Sequence, residues 1–285
     1  MNTPRSTLFC DTSLAQRIEQ AENELIVAAA GAAHARRADG TGFAIPIAGG
    51  TAVLAEADSP LNKVVGLGFD GLPSAGALDE IERAYAACGV PTQIELAHLV
   101  DPDIAAALTD RGYRLESFED VLGRALDCAT ELDAPAGIDV RRSGDDEFEQ
   151  WLAVVVDASA HPDAQGVPWR EEFPRDVYER AQRDSAAAGV LRYIALRDGA
   201  IAGGAELRIS KGIAQFAGAA TAPEHRRRGV QSALLAARLT DAVTAGCDVA
   251  VITTQPGSKS EQNAHRQGFE LLYTRAVLVK RTPES

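Results

Sequence analysis

The chain has 285 residues, 46% hydrophobic and 24% charged, enough for two domains of ordinary size and too apolar for a disordered protein. Its 28 basic and 41 acidic residues leave a formal net charge of −13. So acidic a surface repels phosphate backbones and anionic headgroups, excluding polyanion partners but not one small basic pocket.

The predicted elements run as follows. Leu14, Ile18, Ala21, Leu25 and Ala28 space a helix to Arg37, with Gly31 its weak point. Short β-like runs follow at 42–47, 51–57 and 63–69, then a helix from Leu78 to Cys88, a strand at 92–100 and a helix at 104–111. Residues 114–126 read as one or two strands, and a Pro-containing link at 131–137 separates the halves. Beyond it come a strand at 138–142, helices near 145–160 and 176–188, and strands at 191–197 and 200–210 joined by an Asp198-Gly199 turn. A strand at 213–221, a helix near 229–245, a strand at 248–254, a short helix near 261–266 and a last strand pair within 270–280 complete the chain. Ser260 is the expected cap of that short helix.

The halves repeat each other. Gly89 and Gly246 each precede a strand, a short helix and a Gly-aromatic pair, Gly112-Tyr113 or Gly268-Phe269, at offsets of 157 and 156. A period that long marks a duplicated domain, not a solenoid. The expected domains are therefore 1–130 and 138–285, with 131–137 as linker.

Cys10, Cys88, Cys128 and Cys247 are scattered, with no metal-ligand spacing, and read as reduced, buried thiols. No metal is expected. No apolar run follows the first basic residue, and the stretch 25–35 is too short to span a bilayer, so the expected location is the cytoplasm.

Between strand 213–221 and the next helix lies Pro223-Glu224-His225-Arg226-Arg227-Arg228-Gly229-Val230-Gln231-Ser232. A helix start offers unpaired amides and partial positive charge to a phosphate, Gly229 admits close backbone approach, and three arginines add charge. Arg226-x-x-Gly229-x-Gln231, with the strands, hairpin and helix around it, resembles the GNAT-type N-acetyltransferase superfamily over roughly residues 138–280. Only Gln231 departs from the family signature, which has Gly or Ala there. The resemblance implies an α/β (α+β) fold of two tandem GNAT-like domains, each a mixed, mostly antiparallel twisted sheet flanked by helices. It also implies acetyl-CoA as co-substrate, with amides of Arg228, Gly229, Val230, Gln231 and Ser232 at the pyrophosphate, beside Arg226 and Arg227. Backbone of Ala219, Ala220 and Thr221 then pairs with the pantetheine arm, and Asn263 contacts its amides.

Acetyl transfer needs a base for the amine and an acid for the thiolate. The acid that relatives carry on the last short helix falls at Ala264; Tyr273 and His265 are the substitutes. Glu206 is the lone carboxylate within the central strands, on one face with Arg208 and Ser210, open either to hold a proton-accepting water or to pair on a solvated face. The loop 161–170, with His161 and Trp169, is where the family frames its acceptor; Trp169 fits stacking on it or covering the core edge. Asp157, Asp163, Glu171 and Glu172 suit an amine-bearing acceptor.

Gly66-x-Gly68-x-x-Gly71 spells a dinucleotide fingerprint, but Pro73, Ser74 and Gly76 separate it from the next helix. In the repeat, Asp70–Gly76 stands where the arginine loop should be, and Ala107 where Asn263 stands. The first half therefore reads as a degenerate, structural copy. The expected function is transfer of an acetyl group from acetyl-CoA to a primary amine of a small molecule or peptide by direct attack. A non-catalytic acyl-CoA-binding sensor or regulatory module is the alternative. A homodimer is compatible with either; neither nucleic acid nor membrane is expected as partner.

Overall fold

The computed structural model describes residues 8–126, 135–161, 165–167 and 172–281. Cys128, Asp163, Trp169, Glu171 and most of the expected linker lie outside the described residues. The chain divides into two compact units that interleave along the sequence. An N-terminal unit holds Asp11–Glu119, Glu171–Ala188 and Tyr273–Ser285; a C-terminal unit holds Met1–Cys10, Asp120–Arg170 and Gly189–Leu272. These segments cross the boundaries expected at 130 and 138.

In the N-terminal unit, α1 (Thr12–Arg37) starts where the Asp11 carboxylate accepts the Leu14 N–H at 2.9 Å. It runs unbroken through Gly31. A mid-helix glycine costs roughly 1 kcal/mol, which burial of Ala29, Ala30 and Ala33 offsets. Strands β1 (Phe43–Ile47), β2 (Gly50–Leu54) and β3 (Lys63–Val65) pair antiparallel in that order. Helix α2 (Ala75–Ala87) crosses over to β4 (Thr92–Ala97), parallel to β3, and α3 (Pro102–Asp110) follows.

The C-terminal unit repeats that order. Strand β6 (Asp139–Arg142) and helix α4 (Phe148–Ala160) precede β7 (Leu191–Arg197), β8 (Ala200–Ser210) and β9 (Ile213–Thr221), all antiparallel neighbours. Helix α6 (Val230–Thr244) leads to β10 (Val249–Thr254), parallel to β9, and then to α7 (Lys259–Arg266). The Asp198-Gly199 and Lys211-Gly212 turns carry positive φ at both residues, as two-residue hairpins require.

The glycines that reveal the repeat share one cause. Gly89, Gly112, Gly246 and Gly268 have φ of 69°, 87°, 74° and 77°, and each ends a helix in a left-handed residue. The next residue's N–H returns to a carbonyl five back, as from Tyr113 to Leu108 and from Phe269 to Ala264. Both aromatic rings are buried behind those ends.

After α3 and after α7 each repeat produces one long strand, β5 (Arg114–Ala125) and β11 (Glu270–Lys280), and the repeats exchange them. Asp120–Ala125 of β5 pairs antiparallel with β10 in the C-terminal unit. Arg275–Lys280 of β11 pairs antiparallel with β4 in the N-terminal unit. The strand pair expected within 270–280 is thus one strand, its partner lying far away in sequence. Helix α5 (Arg175–Ala187) also joins the N-terminal unit, with Ala181 packed among Ile26, Ala29, Ala30 and Ala33. Arg36 ties it down, donating to Asp184 at 2.7 Å and to Glu56 at 2.9 Å.

Of the described cysteines, Cys247 is buried and Cys10 half-buried; Cys88, which caps α2, is exposed, against the expectation of burial. No helix among the described residues is long and apolar enough to cross a membrane.

A fragment of residues 134–285 lacks the strand that covers β10, and an uncovered flat edge recruits other chains. It should express as aggregate, whereas a chain that keeps residue 114 onward should retain soluble β10 pairing; sedimentation and circular dichroism of the two fragments check this.

Candidate functional site

Strand β9 sets the site. Its parallel ladder with β10 runs from Ile213 opposite Val249 to Phe216 opposite Ile252, while β9 continues to Thr221. Beyond Phe216 the main chain on that edge is left to an extended ligand, which can pair as an added strand. Ala219, Ala220 and Thr221 lie in this stretch, exposed or half-buried, and on the opposite edge Ala220 and Thr221 pair with Gly204 and Gly203.

The register with β8 slips between Gly204 and Glu206, giving β9 a bulge in which Gly218 has φ +49°. A Cβ at Gly218 would lie 2.6 Å from Glu206 Oε2, so the bulge needs glycine there to admit the carboxylate. Glu206 is 3% exposed, and its Oε1 has no hydrogen-bond partner among the described residues. Burial pushes its carboxyl up to about 7, against the pull of Arg192 and Arg238.

Arg238, on α6 and fully buried, holds the bulge from behind. Its Nη1 donates to the Glu206 carbonyl at 2.9 Å and the Ala217 carbonyl at 3.3 Å, and its Nε to Leu234 at 3.1 Å. The guanidinium lies 4.5 Å from the Phe216 ring centroid. Burial pulls it down to about 9, so it stays charged at neutral pH. Its signal in the sequence was a lone cation on the apolar stripe of Leu234, Leu235, Leu239 and Ala242, a position that must bury it.

The arginine loop leaves β9 through a turn at Pro223–His225 and enters α6 at Gly229, in a left-handed conformation at φ +86°. No side chain caps α6, whereas Asp11, Ser74, Asp101 and Ser258 cap α1, α2, α3 and α7. The first internal bond runs from Ala233 to Gly229, which leaves the amides of Val230, Gln231 and Ser232 without helical acceptors. Such an end suits a pyrophosphate.

The three arginines differ in role. Arg227 and Arg228 are exposed. Arg226 is spent on carbonyls of Thr221 at 3.4 Å, Ala158 at 3.3 Å and His161, and so caps the end of α4. His225 Nδ1, buried at the loop, has no partner among the described residues and is a polar atom that the sequence reading missed.

On α7, Asn263 is half-buried and Ala264 fully buried. Ser258, not Ser260, caps the helix: its hydroxyl accepts the Glu261 N–H at 3.2 Å, while Glu261 accepts the Gly257 N–H at 2.5 Å. These two bonds fix the start two residues earlier than expected. An open hollow of about 510 Å³ along α7, lined by Gly257, Ser258, Glu261, Gln262, His265 and Arg266, includes none of the loop residues.

Neither substitute acid is free for that work. The His265 ring bonds the Phe269 carbonyl at 2.9 Å and lies 3.5 Å from Glu261. Tyr273 belongs to the N-terminal unit, is 1% exposed and donates to Glu19 at 2.7 Å. Burial and the Glu19 carboxylate raise its hydroxyl well above its ordinary range. Of the residues expected near an acceptor, His161 bonds the Asp157 carbonyl at 2.9 Å, and Asp157 and Glu172 face solvent.

The fingerprint glycines of the first repeat belong to no comparable helix start. Helix α2 begins at Ala75, and the Ser74 hydroxyl accepts the Ala77 N–H at 3.1 Å. That cap occupies an amide which a phosphate would need.

Residues 155–269 match the model of the acetyltransferase (GNAT) family. A GCN5-related N-acetyltransferase from Kribbella flavida is similar in fold, with a TM-score of 0.66 at 21% identity over 95% of this chain and 96% of that one. A tandem GNAT protein from the clavulanic acid biosynthesis pathway, solved without AcCoA, gives 0.58 at 15% identity, covering 83% and 79%. A functionally unknown conserved protein from Staphylococcus epidermidis gives 0.59 at 11% identity, covering 86% and 95%. No curated protein matches the sequence.

Replacing Gly218 by Ala should displace Glu206 and strain a left-handed position, lowering stability by about 1–2 kcal/mol. Chemical denaturation measures that loss.

Proposed function

We propose that the C-terminal unit is an N-acetyltransferase that moves an acetyl group from acetyl-CoA to a primary amine of a small molecule or peptide. The observation that carries the proposal is the pairing of an uncapped α6 start with a buried carboxylate at the bulge where β9 leaves β10. The GNAT match of residues 155–269 supports it, since enzymes of that family act on amines with acyl-CoA donors.

The residues present suit that donor. The amides of Val230, Gln231 and Ser232, with those of Arg228 and Gly229, would hold the pyrophosphate, beside Arg227 and Arg228. Backbone of Ala219, Ala220 and Thr221 would pair with the pantetheine arm, and Asn263 would reach its amides. Arg226 contributes by fixing the loop to the end of α4.

The bound donor supplies a thioester carbonyl and a thiolate leaving group. Glu206 takes the proton of the attacking nitrogen, directly or through one water, as the new C–N bond forms and the C–S bond breaks. A carboxyl held near 7 accepts that proton at neutral pH far better than an ordinary one near 4.5. The thiolate draws its proton from solvent, since Ala264 has no acid to offer and His265 and Tyr273 are engaged elsewhere. The same lack of an acid favours the second reading, an acyl-CoA-binding sensor without turnover. A cytoplasmic location suits either.

Titration calorimetry should show saturable acetyl-CoA binding, and thiol release should rise when a primary amine is added. Binding without amine-dependent release identifies the sensor, and no binding at millimolar ligand refutes both readings. The kcat/KM of the transferase should climb with pH through an apparent pKa of about 7, because Glu206 must be deprotonated to act. Glu206→Gln should lower kcat by about 10²–10⁴-fold and remove that limb of the profile.

A further inference from the structure

Glu206 and Arg208 are two residues apart on β8, so both side chains project from the same face of the sheet. Arg192 lies opposite Glu206 on β7, and Gln215 opposite Arg208 on β9. Arg208 Nη1 is buried without a hydrogen-bond partner among the described residues, and so is Glu206 Oε1. The two are not paired with each other: no ion pair within 4.0 Å joins them.

Arg192 acts on Glu206 only through its charge, and its Nε is likewise without a hydrogen-bond partner among the described residues. Its Nη2 donates to Asp145 at 2.7 Å, and its guanidinium lies 4.5 Å from the Phe148 ring centroid. One buried carboxyl oxygen and one buried guanidinium nitrogen, on an arginine that is itself only half-buried, therefore remain on the same face without a hydrogen-bond partner among the described residues. At about 3.3 Å of rise per residue, their main-chain positions lie roughly 6.6 Å apart. A small molecule with an amine at one end and a carboxylate at the other can meet both.

We propose that the acceptor is a short amino carboxylate, its carboxylate held by Arg208 while its amine is presented to Glu206. This rests on the acetyl-transfer reading and narrows its substrate class. Guanidinium and carboxylate match as planar, two-pronged partners, and the fixed position of Arg208 on the strand selects the length of the chain between the two groups.

The test pairs glycine, β-alanine and 4-aminobutyrate with methylamine, ethylamine and propylamine, their decarboxylated counterparts. One arm follows thiol release from acetyl-CoA; the other follows binding to the CoA-loaded protein by calorimetry. At least one amino carboxylate should exceed its counterpart by tenfold or more in kcat/KM and in affinity. Arg208→Gln should abolish that preference, and Arg208→Lys should keep part of it, with acetyl-CoA affinity unchanged in both. Equal use of both members of every pair, or a preference that survives Arg208→Gln, overturns the proposal. If no amine is acetylated, the transfer reading fails, yet binding of an amino carboxylate that Arg208→Gln removes still supports this site; no such binding overturns it.

Discussion

Arg275 lies at the point on which the tertiary structure turns, because it anchors one exchanged strand. Its Nε donates to Glu19 of α1 at 2.7 Å, and its Nη1 stands 3.6 Å from both Glu95 of β4 and Glu119 of β5. Lys63 pairs with Glu95 as well, and Tyr273 adds its bond to Glu19. Burial and the Glu95 carboxylate push Glu119 up to about 8, and burial raises Glu19 too, in both cases against the pull of these cations. A buried ion cluster of this kind adds little stability over an apolar core, but removing one member leaves uncompensated charge and costs several kcal/mol. It thereby specifies which strand may lie beside β4.

Strand exchange gives the N-terminal repeat a structural part in the other one. That repeat supplies Asp120–Ala125 to β10, and receives α5 and the end of β11. Its own helix start is closed by Ser74, where the other repeat leaves the amides of α6 uncapped. Charge follows the same division. Residues 1–130 carry 9 basic and 19 acidic side chains and residues 131–285 carry 19 and 22, so the repeat with the open helix start is nearly neutral. The two copies thus differ in chemistry at one turn while keeping the same order of elements.

At the candidate site, backbone irregularity and buried charge depend on each other. The bulge admits Glu206 only because Gly218 has no side chain, and Arg238 stabilises the carbonyls on both sides of it. An arginine buried in an apolar helix stripe is costly, and three carbonyl acceptors with an aromatic face offset that cost. Arg208 differs in that its buried Nη1 has no hydrogen-bond partner among the described residues while the rest of the side chain is half-buried.

What the amino-acid sequence determined by itself is what near neighbours decide. Helix periods, the Asp198-Gly199 and Lys211-Gly212 turns, and the left-handed glycines at 89, 112, 246 and 268 act within a few residues, and the structure has them where the pattern put them. Strand alternation likewise placed Glu206 and Arg208 on one face. Tertiary structure alone decided the partners of groups far apart in the chain. It exchanged β5 and β11, moved α5 to the first repeat, turned Arg226 to the carbonyls ending α4, committed Tyr273 to Glu19, and set Arg238 behind the bulge. Local periodicity carries no term for such contacts: strand edges pair by backbone bonds that every residue offers, and a buried charge takes whichever counter-group the fold brings within reach.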